Sequence, residues 1–300
     1  MGTEIDIKRI WKYTGESFLS AIPVDLNAGE NKVAEYSDFT PNIIVVQGLS
    51  FNRVDGLVFH MDVDRYTDVV KLDNLAVARG LDYEEKVKVP STIITSMRIY
   101  APSTVSAYQW RHRVTVFKPT VAMKLQLGVK LSGNEPELAE KYGLLQALRL
   151  STPEPFNIYS GIEEFRTIAV KMSSSGTIAR LPVPAGKKII LTGISAARPT
   201  SPGAAYIIVE RDGVEKTLSL DPYCLPELSY EAPLRVIGLD KIEISLDVKT
   251  SGNYYVRVSY GIGRLTLREK VMWIPSELTP DERREAEEKD LFDKVAAGVS

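Results

Sequence analysis

Thirteen residues from Met61 to Asp73 (MDVDRYTDVVKLD) align without a gap on Val209 to Asp221 (VERDGVEKTLSLD), setting Asp64 on Asp212, Leu72 on Leu220 and Asp73 on Asp221. Three further segments match in the same order. Ile43 to Ser50 parallels Ile189 to Ser195 with one residue less, Pro90 to Ile94 parallels Pro233 to Ile237, and Tyr108 to Val114 parallels Tyr254 to Tyr260. The offsets run from 143 to 148 residues. One short β-like match arises easily by chance. Four in order, at nearly one spacing, point to a second half that is a diverged copy of the first. Residues about 40–118 and 187–260 are therefore expected to superpose strand for strand.

The matched segments are themselves strand-like. Asn42 to Leu49 is an apolar run long enough for a strand and too short for a helix. Leu57 to Val63, Tyr66 to Leu72, Val87 to Val89, Ile93 to Tyr100 and Tyr108 to Lys118 continue the pattern. Val121-Met123-Leu125-Leu127-Val129-Leu131 has the period-2 alternation of a strand with one buried face. In the second half, strands are predicted near Phe165, over Ile168 to Met172, Ala179 to Pro182, Lys188 to Ser195, Ala205 to Glu210, Thr217 to Leu220, Leu234 to Ile237, Lys241 to Leu246 and Tyr254 to Tyr260, with a last one at Leu265 to Leu267. Asp212-Gly213 is a tight hairpin turn, because glycine supplies positive φ, and Asp64-Arg65 falls at the equivalent turn. Buried side chains are expected at Ile44, Val46, Ile94, Ile99, Val114 and Val116, and at Ile190, Ile237, Ile244, Val256 and Val258.

Helical signals are few. Asn134-Glu135-Pro136-Glu137 offers a capping side chain and an early proline, with Leu138, Tyr142, Leu145 and Leu148 at helical spacing through Arg149. Ser151 to Pro155 then reads as a linker. Thr279-Pro280-Asp281-Glu282 starts a second helix, with Thr279 as its cap. Strands without alternating helices exclude a parallel α/β sheet. The fold class is all-β: two tandem antiparallel β-sandwich, jelly-roll-like domains, with a short interdomain helix and a C-terminal helix. The boundaries are an N-terminal arm (1–18), domain 1 (19–133), helix and linker (134–160), domain 2 (161–275) and a helical tail (276–300). Material for two cores is present in 300 residues, 44 % of them hydrophobic.

Composition argues mainly by exclusion. A net charge of −2 and scattered Lys and Arg give no nucleic-acid signature. No apolar run approaches the length of about 20 residues that spans a bilayer. The acidic start, Met1 to Asp6, carries no apolar leader, so cytoplasmic synthesis without a signal peptide is expected, with a virion as the further location. One cysteine, Cys224, excludes an internal disulfide. It lies between prolines in a half without histidine, where a packed thiol is expected. Only four Gln occur, and thermolabile side chains are under-used, as in heat-adapted proteins.

The candidate chemistry is thin. His60, Asp62 and Asp64 alternate on one strand face, but the second copy has Ile208, Glu210 and Asp212 there, so a solvated strand is the better reading than a metal site. Asp62, Asp64, Tyr66 and Asp68 lack the glycine and distal Glu of a calcium loop. Gly261-Ile262-Gly263-Arg264 follows a strand and reads as a turn. No cofactor is expected. Trp110, Tyr223, Tyr254 and Tyr255 are candidate ligand aromatics. Leu291, Phe292, Val295 and Ala296 make a small apolar face on the tail, expected to dock on a neighbouring subunit.

These features fit a non-enzymatic structural protein that assembles with copies of itself, most concretely a virion coat or particle component of a heat-adapted system. The arrangement is similar to that of double jelly-roll coat proteins, in architecture and not through any shared motif. A carbohydrate-binding or adhesion module is the first alternative and would group the aromatics on one exposed face. A hydrolase with carboxylates in an interdomain cleft is the second, and would need a deep pocket.

Overall fold

The computed structural model describes residues 16–37, 42–144 and 161–298. The first half runs β1 (Glu16–Ser20), β2 (Val24–Leu26), β3 (Gly29–Ser37), β4 (Ile43–Phe51), β5 (Val58–Val63), β6 (Tyr66–Asp73), a single helical turn α1 (Asn74–Val77), β7 (Glu85–Ser91), β8 (Ile94–Ala101), β9 (Val105–Tyr108) and β10 (Trp110–Phe117). Two short helices follow, α2 (Val121–Gln126) and α3 (Glu135–Lys141). The second half runs β11 (Ile162–Met172), β12 (Gly176–Pro182), β13 (Lys187–Ala196), β14 (Ala205–Arg211), β15 (Val214–Leu220), β16 (Ala232–Gly238), β17 (Lys241–Val248) and β18 (Tyr254–Arg264). It closes with α4 (Leu267–Trp273), α5 (Pro280–Glu288) and α6 (Leu291–Ala297).

Strands β1-β10-β4-β7 lie over β3-β8-β5-β6, and β11-β18-β13-β16 over β12-β17-β14-β15. Each pair is the jelly-roll arrangement. If the small β2-β9 ribbon is set aside, the order in both halves is first–eighth–third–sixth over second–seventh–fourth–fifth. Between the sheets of the first half, Phe51, Phe59 and Trp110 pack ring on ring, with centroids 5.3–6.5 Å apart.

Equivalent positions can be read from the ladders. Gly48 and Gly193 follow a bulge in β4 and β13, and each lies under a carboxylate from the loop before the neighbouring strand, β7 or β16. A Cβ at Gly48 would meet Glu84 at 2.1 Å, and one at Gly193 would meet Glu231 at 2.5 Å. Glu84 is held by both sides of the Arg113 guanidinium, at 2.6 and 3.2 Å, and Glu231 by Arg257 and Ser259. Asp64 and Asp212 sit at matching hairpins with φ of 54° and 46°. Asp64 accepts the amides of Thr92, Ile93 and Ile94, and Asp212 those of Leu239, Asp240 and Lys241. Residues 91–94 thus correspond to 238–241, so the match of Pro90–Ile94 to Pro233–Ile237 is out of place by four residues.

Five expectations are corrected. The supposed strand from Val121 is α2, because the Thr120 hydroxyl caps it by accepting the Met123 amide, and Val121 and Leu125 fall on one helical face. Asn134 does not cap α3 with its side chain; Glu135 reaches back to the Ser132 amide instead, and the helix ends at Lys141. The linker Ser151–Pro155 lies outside the described residues. Leu265–Leu267 leads into a helix, where Thr266 and Glu269 form a reciprocal capping box. Gly261 to Arg264 belongs to β18; a Cβ at Gly263 would lie 2.3 Å from the Gly161 carbonyl, so glycine serves close strand approach there. Finally, residues 16–18 are not part of an arm, since Glu16, Ser17 and Phe18 are buried in β1.

The expected core residues are buried, except that Ile94 is half-buried. Ile190 and Ile237 face outward from the sandwich and pack against Trp273 of α4. That helix is further held by a buried ion pair between Lys188 of β13 and its own Glu269, with the Lys188 ammonium 5.6 Å from the Trp273 ring centre. Burial pulls the Lys188 ammonium down, opposed by Glu269.

Candidate functional site

The two sandwiches are joined edge to edge. Strand β1 pairs with β10 on one side and meets β16 on the other, with Ser17 opposite Arg235, so one sheet of eight strands runs β11-β18-β13-β16-β1-β10-β4-β7. Beneath this seam Glu16 is fully buried, paired with Arg211 of β14 and accepting the Ile237 amide at 2.7 Å. Burial pushes the Glu16 carboxyl up to about 7, against the opposing pull of Arg211. Around it Ala21 bridges Leu220, Arg198 pairs with Asp82 while donating to the Leu225 carbonyl at 2.8 Å, and Tyr83 meets Tyr230. Cys224 is buried there, its thiol pushed up to about 12 by burial.

Among the described residues, joining β16 to β1 leaves β7 and β11 as the outer edges of the long sheet. Strand β11 has eleven residues, and those from Glu163 to Thr167 are all exposed. Phe165 in their midst is 67 % exposed. An open strand of this length is a ready pairing template. Strand β7 is blunter, with exposed Lys86 and Lys88 and with Pro90 near its end. Tyr66 and Val69 are exposed on β6, at the edge of a four-stranded sheet.

The residues singled out from sequence do not form one surface. Trp110 and Tyr254 are buried inside the sandwiches, Trp110 stacked on His112 and the Tyr254 hydroxyl within hydrogen-bond distance of the Thr250 and Ala204 carbonyls. Tyr223 is half-buried in the loop after β15. Tyr255 is exposed on the outer face beside Lys171, so the four share no face. On the tail, Leu291, Phe292 and Val295 are half-buried, packed against Val271 of α4, Leu278 and Ala286. Only Ala296 stays exposed. The expected docking on a neighbour is thus corrected: this face docks on its own chain, where Lys141 and Tyr142 also bind Asp290.

The acidic cluster on β5 and β6 is occupied by protein groups. Asp62 is held by the Arg98 guanidinium at 2.9 and 3.0 Å, and Asp68 by His60 at 2.9 Å. Among the described residues no set of three His, Cys, Asp or Glu side chains gathers where a metal ion could sit. A small cleft beside β4 is lined by Ser50, Arg79, Tyr83, Glu84 and Glu85, and Glu84 is the partner of Arg113. No described helix is long and apolar enough to cross a membrane. Sequence reading missed the Glu16–Arg211 and Lys188–Glu269 pairs. The Thr266-x-x-Glu269 spacing was the available signal for the second.

No family model and no curated protein matches this chain. Among solved structures it is similar to the CUB1-EGF-CUB2 domain of human MASP-1/3, at 10 % identity and TM-score 0.28, covering 83 % of this chain and 100 % of the other. It is also similar to the PBSX exported protein XepA, at 12 % identity and TM-score 0.23, covering 82 % and 86 %. The VP2 subviral particle of infectious bursal disease virus follows, at 8 % identity and TM-score 0.22, covering 86 % and 78 %. Scores this low identify no relative, and the jelly-roll assignment rests on strand order.

Proposed function

We propose that this chain is a non-enzymatic structural protein that assembles with copies of itself, most concretely as a coat or particle component of a heat-adapted system. The observation that carries the reading is the eleven-residue edge strand β11, open and bearing Phe165 at 67 % exposure. Natural sheet proteins shield such an edge by charge, proline, shortness or cover; β11 carries Glu163, Glu164 and Arg166, but its length and the exposed Phe165 among them favour a partner. The buried seam supports the same reading, because a rigid eight-stranded platform presents its two outer edges in a fixed relation. We also infer that the halves descend from one duplicated unit. Their common strand order, the paired hairpin aspartates and the paired glycine–glutamate contacts support this.

The test is mass in solution by analytical ultracentrifugation across protein concentration and salt, with electron microscopy of any large species. Species well above the 33.3 kDa chain mass are expected. A monomer under every condition overturns the reading.

A further inference from the structure

We propose that copies of this chain join head to tail, β7 of one copy docking beside β11 of the next in the manner of β16 beside β1 within the chain. The proposal rests on the self-assembly reading and names its contact. In the internal junction, Ser17 of β1 lies opposite Thr115, which lies opposite Val45, which lies opposite Pro90 of β7. In the second half, Phe165 of β11 lies opposite Gly261, then Ile190, then Ile237 of β16. Position by position, β11 is therefore the counterpart of β1, and β7 the counterpart of β16. The chain already contains one junction of a sixth strand against a first strand. The two edges left over are the same kinds of edge.

Carrying the internal register outward fixes the contact. Ser17 opposes Arg235, so their counterparts Phe165 and Lys88 oppose each other between copies. Lys88 then lies diagonal to Glu163, and Lys86 faces Thr167. The aromatic ring, 67 % exposed on the free chain, gains the cover of the lysine stem. Two differences make this contact weaker than the internal one. The Ile237 amide that binds Glu16 has Pro90 as its counterpart, which has no N–H to give. The counterpart of buried Glu16 is exposed Glu164, already paired with Arg166. The seam inside the chain is thus permanent and the contact between chains reversible, as stepwise assembly requires. A contact between unlike edges is heterologous, so it closes into a ring or continues as a filament.

The test uses disulfides in the full chain. Residues directly opposite in an antiparallel pair have Cα atoms about 4.5–5.5 Å apart, within disulfide reach. Within one chain the two positions lie on the outermost strands, seven spacings or roughly 34 Å apart, so a bond between them must join two molecules. Lys88→Cys chains mixed with Phe165→Cys chains under mild oxidation are expected to give covalent dimers, and the double variant a ladder of multimers on a non-reducing gel. Assemblies seen by ultracentrifugation without that bond overturn the edge pairing and leave self-assembly standing. Absence of any assembly overturns both. Dimers from Lys88→Cys alone replace the head-to-tail contact by a symmetric one and also overturn it. Lys86→Cys with Thr167→Cys, the next facing pair, serves if either first variant misfolds, as checked by its unfolding midpoint.

Discussion

Replacing Glu16 by Gln tests whether the charge at the seam helps or harms the fold. The side chain is fully buried, and burial outweighs Arg211 in placing its folded pKa near 7 against an ordinary 4.5. A folded pKa raised above the unfolded one means that the native state binds the proton more tightly. The resulting stability is complete below about pH 4.5 and lost as pH rises through 7. At about 1.4 kcal/mol per pH unit, the gap corresponds to roughly 3 kcal/mol lost between pH 4 and pH 8. Other carboxylates titrate as well, so the quantity to measure is the difference between wild type and Glu16→Gln. Gln keeps the shape, the acceptor for the Ile237 amide and the neutral state. In urea unfolding followed by tryptophan fluorescence, the variant is expected to lie near wild type at pH 4.5. It should then gain on wild type as pH rises to 8, by up to the few kcal/mol of linkage that wild type loses. A variant that instead loses ground as pH rises would show that Arg211 more than offsets desolvation, and the reasoning would fall.

Three other outcomes are expected. Trp273→Ala empties the contact with Ile190 and Ile237 and uncovers Lys188, at a cost of about 3–5 kcal/mol by urea unfolding. Asp64→Ala and Asp212→Ala each orphan a row of turn amides, and each should cost about 1.5–3 kcal/mol, with the two within about 1 kcal/mol of each other. Asp64 is held below the usual carboxylate range; partial burial raises it, but the bonds from Ile94, Ser91, Ile93 and Thr92 prevail, so its contribution should fade in acid as it protonates. Deleting residues 278–300 removes the cover of Val271 and should lower the calorimetric unfolding midpoint; an unchanged midpoint would mean that α5 and α6 add nothing to their own fold.

Much of the fold was legible because strand signals are local. Period-2 runs, the Asp212-Gly213 turn and the Thr279-x-x-Glu282 capping box depend on neighbours within a few residues, and each stands where the sequence places it. Val121 to Leu131 misled because the same apolar residues also suit a helix buried on two sides, Val121 and Leu125 on one face and Met123 and Leu127 on the other. The choice was made by the Thr120 cap, whose effect exceeds the weak strand pattern around it. Glu16 was hidden for another reason. Nothing within β1 announces that its partner is Arg211, 195 residues away, and a charged residue near a chain start reads as an exposed arm. The candidate surface was harder still. Phe165 looks like any core residue of a strand, and only the strand order puts it on an outer edge.

The two halves share a strand order but differ at the edges that meet within the chain and those that stay outermost among the described residues. With the same edge residues in both halves, the internal seam and the proposed contact between chains would compete for the same partners. Three substitutions at equivalent positions remove that ambiguity. The first strand carries Ser17 in one copy and Phe165 in the other. The small residue lets Thr115 and Gln47 close a buried hydrogen-bond cluster under the seam. The sixth strand carries Ile237 in one copy and Pro90 in the other, so only β16 has the amide that Glu16 requires. The hairpin of β14 supplies Arg211 where the hairpin of β5 supplies Val63, so only the second half sets a cation against that buried carboxyl. Each change strengthens β16 against β1 and withholds the same bond from β7. Intramolecular closure is favoured already by connection through one chain, and these residues make it exclusive. On the proposed head-to-tail contact, β7 and β11 would form a weaker version of the β16–β1 junction.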